Sequence, residues 1–179
     1  MIFPLFGRKP RAADTISTLY GMIVAQARLP CFYRDYGVAD TVNGRFDMIV
    51  LHLATVLDRF AHEPALQGLG QGIFDRFCRD MDHNLREMGI GDLKVPKEMR
   101  RLGEAFYGRS QAYRTAWAAG SDELLVKALQ KNIYAGAGSA APRLAAYVRA
   151  TLRELAAQPA EGFIGGDLRF PQPSAIAVN

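Results

Sequence analysis

Apolar residues recur along nearly all of this 179-residue chain at intervals of three and four positions, and they almost never alternate with polar ones. Intervals of three and four place side chains on one face of an α-helix, whereas alternation is typical of a β-strand. The clearest case is residues 44–62, where one stripe contains Phe46, Ile49, Val50, Leu53, Val56, Leu57 and Phe60. The pattern therefore predicts an all-α fold.

Prolines and glycines divide this periodic pattern into separate helices. The predicted helices cover residues 14–29, 44–62, 73–88, 95–117, 121–134 and 142–157. Residues 30–43 are predicted to form a loop. The glycine-rich stretches at 68–72 and 136–138 are predicted to be connectors, because neither follows a strand nor carries the lysine of a phosphate loop.

We expect a single compact bundle of about six or seven helices over residues 12–158. An apolar and basic tail, residues 1–11, precedes it. A tail rich in Pro and Gly, residues 159–179, follows it and is expected to be irregular, draping over the bundle through Phe163, Ile164 and Phe170.

The charge distribution argues against a DNA-binding protein. Of the net charge of +4, three charges come from Arg8, Lys9 and Arg11, which leaves +1 on residues 12–179. A nucleic-acid-binding fold would carry a basic face throughout. The two cysteines, Cys31 and Cys78, lie in no metal-ligand spacing, and we interpret them as free thiols.

The N-terminal sequence MIFPLFGRKPR places apolar residues before basic ones, the reverse of a secretory signal. Two interpretations remain: a frayed tail, or a weak membrane-surface anchor. In the anchor, Phe3 and Phe6 enter the headgroup region, and Arg8, Lys9 and Arg11 meet anionic lipid at about 1 kcal/mol each.

The segment around His83 contains the most chemically suggestive cluster, with Asp80, Asp82 and Glu87 nearby. The pair Asp82–Arg86 has the i,i+4 spacing of a solvated helix face, which we favour over a metal site. His52, between two leucines, is interpreted as an interior histidine with satisfied hydrogen bonds rather than a ligand. We predict no catalytic residue, metal site or cofactor.

Residues 94–114 hold six basic and two acidic side chains, a local charge of +4. The basic residues lie along one predicted helix: Lys94, Lys97, Arg100, Arg101, Arg109 and Arg114. Either this is an ordinary solvated face, or it is a docking surface for an acidic partner, ribosomal RNA or anionic lipid.

Three blocks of sequence resemble the ubiquinol–cytochrome c chaperone family. The blocks are GRFDM at 44–48 with LHL at 51–53, LREMGIGD at 85–92 with FYGR at 106–109, and ALQKNIY at 128–134. The resemblance implies a helical, non-enzymatic chaperone that binds newly made cytochrome b. It also implies a second assembly factor and the ribosome as possible partners. Because no transit peptide precedes the blocks, we expect a bacterial member, in the cytoplasm and peripherally associated with the inner membrane.

A chaperone for an apolar client needs exposed apolar surface that its own core does not consume. The residues that fall off the predicted core stripes are Tyr33, Tyr36, Tyr107, Met48 and Leu51. We expect Tyr107 and Arg109 to border a client-binding groove, with Lys97, Arg100 and Arg101 close by. The alternative function is a basic RNA- or ribosome-binding module without a specific client.

Overall fold

The protein's structure, a computed structural model, describes residues 12–136 and 138–176. Over these residues it contains eight α-helices and no strand. The helices are α1 Ala12–Ala27, α2 Pro30–Arg34, α3 Val42–Ala61, α4 Gln67–Glu87, α5 Val95–Ala118, α6 Asp122–Ile133, α7 Ala141–Ala157 and α8 Ala160–Ile164, with short 3-10 turns at Pro64–Leu66 and Pro173–Ala175. The all-α prediction is confirmed.

Helix α3 is the centre of the bundle and contacts α1, α4, α5, α6 and α7. Thr41 caps it, because its hydroxyl accepts a hydrogen bond from the backbone N–H of Gly44 at 3.1 Å. Neighbours on several sides bury both apolar faces of α3, so Met48 and Leu51 are fully inside the core. The expectation that these two residues offer surface to a client is therefore wrong.

Tyr36 is also buried rather than available to a client. Its hydroxyl donates a 2.6 Å hydrogen bond to the carbonyl oxygen of Pro173, and Arg143 lies 4.3 Å above its ring. Helix α7 and the segment after it supply this cover, which a local pattern around Tyr36 does not reveal.

The glycine-rich stretch 68–72 is helical, not a connector, and forms the first turns of α4. A Cβ on Gly70 would lie 3.5 Å from Cβ of Phe60 on α3, and a Cβ on Gly72 would collide with Ile16 on α1. The missing side chains therefore let α4 approach two neighbours closely. The predicted loop 30–43 likewise begins with a short helix, since Pro30 suits a first turn.

The segment after α7 is mostly irregular but begins with α8, and it packs on the bundle through buried Phe163 and Leu168. The rings of Phe163 and Phe60 are 4.9 Å apart. Ile164, expected to face inward, is exposed instead. The Gln158 side chain fixes the segment with two hydrogen bonds to the backbone of Arg169, at 2.8 and 2.9 Å.

Between residues 12 and 176, leaving aside residue 137, no helix is long and apolar enough to cross a membrane. The proposed N-terminal anchor residues Phe3, Phe6, Arg8, Lys9 and Arg11 lie outside the described residues.

Candidate functional site

A cleft of about 370 Å³ lies where α3, α4 and α5 meet. Its lining is mainly apolar and comprises Ala54, Leu57, Phe60 and Ala61 from α3, Gly70 and Phe74 from α4, and Phe106 and Tyr107 from α5, with Asp58, Gln67, Gln71, Ser110 and Arg114 as the polar members. We call this feature the α3–α5 cleft. In this cleft, core residues of three helices border a depression in the surface.

An aromatic trio forms one wall of the α3–α5 cleft. The ring of Phe74 is 5.0 Å from that of Phe106 and 5.8 Å from that of Tyr107, and the last two rings meet edge to face at 5.5 Å. Adjacent helix positions point about 100° apart, so Phe106 enters the core while Tyr107 stays 63% exposed. Tyr107 therefore stands where an incoming apolar group would make contact.

Polar groups surround the apolar floor of the cleft. Arg114 forms an ion pair with Asp58 of α3 at 2.9 Å. The Ser110 hydroxyl is buried and finds no hydrogen-bond partner among the described residues. An apolar floor with a polar surround is the usual composition of a protein-binding surface.

A second ion pair joins α3 to α5 near the cleft. Nη2 of Arg109 lies 3.0 Å from Oδ1 of buried Asp47, without the alignment of a hydrogen bond, and the guanidinium covers the ring of Phe46 at 5.6 Å. Burial raises the pKa of Asp47 to about 6, and the opposing effect of Arg109 is smaller. Arg109 thus turns toward α3 and holds the two helices together, instead of lining the cleft.

The hydroxyl of Tyr113 is buried near the same ion pair and has no hydrogen-bond partner within the described part of the chain. Burial, with a smaller contribution from the Asp47 carboxylate, raises the pKa of this phenol. The Tyr113 hydroxyl therefore stays protonated at neutral pH.

The basic face predicted from residues 94–114 is largely neutralised. Arg100 pairs with Glu104 at 3.7 Å and Arg101 with Glu98 at 3.0 Å, all on α5. The partners of Arg109 and Arg114 come from α3, more than fifty residues earlier in the chain. Lys94 and Lys97 are exposed and make no ion pair with any described residue.

Tyr33 lies apart from the cleft residues, in a polar depression lined by Arg28, Pro30, Arg34, Asp40 and Arg45. It is half-buried, and its hydroxyl donates to the carbonyl oxygen of Ala27 at 2.9 Å. The structure therefore does not bring Tyr33 and Tyr107 into one surface.

The acidic cluster on α4 is organised by local pairing. Arg86 pairs with Asp82 at 2.7 Å, as predicted, and His83 lies 3.1 Å from Glu87. Asp80 accepts a 2.8 Å hydrogen bond from the hydroxyl of Tyr20 on α1. Within the ranges 12–136 and 138–176, no three His, Cys, Asp or Glu side chains converge as metal ligands would.

His52 has the environment of an interior histidine. Its Nδ1–H donates to the carbonyl oxygen of Met48 at 2.8 Å, and Nε2 accepts from the hydroxyl of Tyr147 at 2.9 Å. Burial lowers the pKa of His52 to about 4, so the ring is neutral at physiological pH. Both ring nitrogens are occupied, which confirms the sequence-based interpretation.

Comparison with known proteins gives one family and one solved structure. The family model described as ubiquinol-cytochrome C chaperone matches residues 34–170, a range that includes every residue of the α3–α5 cleft. The crystal structure of the Cbp3 homolog from Brucella abortus is similar to this chain with a TM-score of 0.87 and 39% identity, covering 99% of this chain and 100% of that one. No curated protein matches the chain.

Proposed function

The chain belongs to the ubiquinol–cytochrome c chaperone family, and from that premise we propose that it binds newly made cytochrome b and promotes assembly of ubiquinol–cytochrome c reductase. It acts by binding its client through an apolar surface, without catalysing a reaction. It acts at the inner face of the membrane, where cytochrome b is inserted.

One observation supports this function most strongly: the α3–α5 cleft is mainly apolar and presents the exposed ring of Tyr107 beside the partly buried ring of Phe74. A groove between helices suits an apolar client helix, whose side chains recur on one face at intervals of three and four. An unassembled membrane subunit exposes such helices until its partners cover them.

The client-binding surface that we propose is centred on Tyr107 and extends along α5. Arg100 lies seven residues before Tyr107, nearly two helical turns, and therefore on the same side of the helix. Lys97 and Arg101 flank Arg100 and are exposed. Arg109 acts indirectly in this proposal, because it positions α5 against α3 through Asp47.

The contacts with a second assembly factor and with the ribosome that the resemblance implies belong to the same proposal. Lys94 and Lys97 are the basic residues of α5 and its approach that have no acidic partner among the described residues. Two such lysines give a small basic patch, whereas a general RNA-binding module needs a continuous one. The alternative of a client-free RNA-binding protein is accordingly disfavoured.

The test is deletion of the gene, followed by measurement of cytochrome b absorbance and rescue with variants. Wild type should restore cytochrome b while other respiratory complexes stay unaffected throughout. Tyr107→Glu, which adds a charge at the exposed mouth of the cleft, should accumulate as a folded protein and fail to rescue. The matched control is Leu124→Glu, because Leu124 is an exposed apolar residue on α6 outside the cleft. Unchanged cytochrome b in the deletion strain would overturn the proposal.

A further inference from the structure

The turn between α4 and α5 exposes large apolar side chains that have no role in the core. Leu93 is 98% exposed and Met88 is 64% exposed, while Ile90 between them is partly buried. Single exposed apolar residues are ordinary on protein surfaces. Here, however, two of the most exposed ones occur within six residues, at the end of a helical hairpin.

The turn is held in one shape, so the exposure does not come from a loose loop. The N–H of Ile90 donates to the carbonyl oxygen of Leu85 at 3.1 Å, and the N–H of Gly89 donates to that of Arg86 at 2.9 Å. Gly89 has φ +81°, the left-handed conformation that this type of helix ending requires. Arg86 also forms an ion pair with Asp92, which ties the end of α4 to the turn.

Two lysines without acidic partners near these apolar residues favour an anionic partner. Residues 86–101 contain five basic and three acidic side chains, and two further acidic partners, Asp82 of Arg86 and Glu104 of Arg100, lie just outside this range. Each acidic side chain already has a partner: Glu87 contacts His83, Asp92 contacts Arg86 and Glu98 contacts Arg101. Lys94 follows Leu93 directly in the chain and Lys97 lies three residues further on, and neither has an acidic partner among the described residues.

We propose that this tip, defined as Met88, Ile90, Leu93, Lys94 and Lys97, inserts into the headgroup region of an anionic phospholipid membrane. Two or three apolar side chains are enough for interfacial insertion, with the lysines contacting lipid phosphates. A stable protein interface needs roughly 800 Å² from each partner, much more than this tip offers. The docking is weak and reversible, because so few groups take part.

Membrane docking of the tip would set the distance between the α3–α5 cleft and the membrane surface. Tyr107 lies thirteen residues after Lys94 on α5, about 20 Å along the helix axis. If α5 stands upright on the membrane with the tip in the headgroups, the cleft lies outside the hydrocarbon yet close to a client that is being inserted. This consequence for the client rests on the proposed function, whereas binding of the tip to lipid does not.

The test is co-flotation of the full-length protein with vesicles of phosphatidylcholine alone or mixed with phosphatidylglycerol. Wild type should bind the anionic vesicles at least about tenfold more tightly than the neutral ones. Both Met88→Ser with Leu93→Ser and Lys94→Glu with Lys97→Glu should weaken the anionic binding about tenfold or more. Since all four side chains are exposed, thermal unfolding should be unchanged.

Two matched controls isolate the tip. Val42→Ser with Leu124→Ser removes two other exposed apolar side chains and should leave vesicle binding unchanged. Phe3→Ser with Phe6→Ser tests the N-terminal segment as the competing anchor, and it should retain most of the binding.

Equal binding by the tip variants and wild type would overturn the proposal, as would loss of binding in the Phe3/Phe6 variant alone. Neither result bears on the rescue of cytochrome b, so failure of this proposal is distinguishable from failure of the proposed function.

Discussion

The hydroxyl of Tyr147 on α7 donates a hydrogen bond of 2.9 Å to Nε2 of His52 on α3, inside the core. The same hydroxyl accepts a hydrogen bond from the amide of Gln26 on α1, also at 2.9 Å. Because His52 donates from Nδ1 to the carbonyl oxygen of Met48, every donor in the chain of bonds has an acceptor. Three helices are therefore joined by one satisfied polar network.

Replacing Tyr147 with Phe should destabilise the protein by about 1–3 kcal/mol, because it leaves Nε2 of His52 without its donor and removes one of the two acceptors of the Gln26 amide. Urea denaturation followed by circular dichroism measures this cost. Tyr107→Phe is the matched control and should change the free energy of unfolding by less than about 0.5 kcal/mol, since Tyr107 is exposed. Equal effects of the two substitutions would contradict the network.

His52 should stay neutral in the folded protein at pH 5. Its folded pKa of about 4 lies below its ordinary value of 6.5, so the unfolded chain takes up a proton between these values and the native state does not. The neutral His52 ring therefore has no cost to the native state above pH 6.5. The free energy of unfolding falls by roughly 3 kcal/mol as the pH decreases from 6.5 to 4. Nitrogen NMR of the imidazoles, with His62→Gln and His83→Gln used for assignment, checks this. An imidazolium at position 52 at pH 5 would disprove it.

Asp47→Asn should gain stability relative to wild type as the pH rises. The folded pKa of Asp47, about 6, lies above its ordinary 3.8, so the native state binds the proton more tightly than the unfolded chain does. The stability that this proton gives to wild type is complete below pH 3.8 and is lost as the pH rises through 6. Between about pH 4.5 and 7.5 the difference in unfolding free energy should shift by about 2 kcal/mol in favour of the variant.

The measurement for Asp47 is urea unfolding at the two pH values. Ser110→Ala is the control, because it alters a buried polar group on α5 that does not ionise in this range. Its difference from wild type should be the same at both pH values. A pH-independent difference for Asp47→Asn would show that burial does not perturb the carboxyl.

The sequence predicted the helical architecture well, because apolar periodicity reports directly which segments are helical. It was less informative about which apolar faces are covered. Met48 and Leu51 form a second apolar face of α3, and only the packing of several neighbours shows that this face is internal. The glycines at 68–72 have a low intrinsic helix propensity, yet close packing of α4 against α1 and α3 keeps them helical.

Long-range pairing explains the other differences at the candidate site. A window over residues 94–114 shows Arg109 and Arg114 as excess charge, since their partners Asp47 and Asp58 belong to another helix. Tyr107 falls off the core stripe of its helix, a position that predicts exposure, and it is exposed at the mouth of the cleft. Its contact with a client stays a prediction.

Gln158→Ala should loosen the segment that follows α8. The Gln158 amide makes two hydrogen bonds to the backbone of Arg169, and no other side chain in the described part of the chain bonds that backbone. Hydrogen exchange of residues 167–176 should become faster while the core helices stay protected. Gln111→Ala, at an exposed position on α5, is the control and should leave exchange in this segment unchanged. Unaltered exchange in Gln158→Ala would show that buried Phe163 and Leu168 are sufficient.

The most direct test of client binding is photo-crosslinking in cells from a photoreactive amino acid placed at position 107, with position 124 on α6 as the control. Both residues are exposed, so the substitution should leave the fold intact. If the α3–α5 cleft receives the unfinished subunit, newly synthesised cytochrome b crosslinks to position 107 and not to position 124. Crosslinking at position 124 alone, or at neither position in cells that are actively making cytochrome b, would contradict the account.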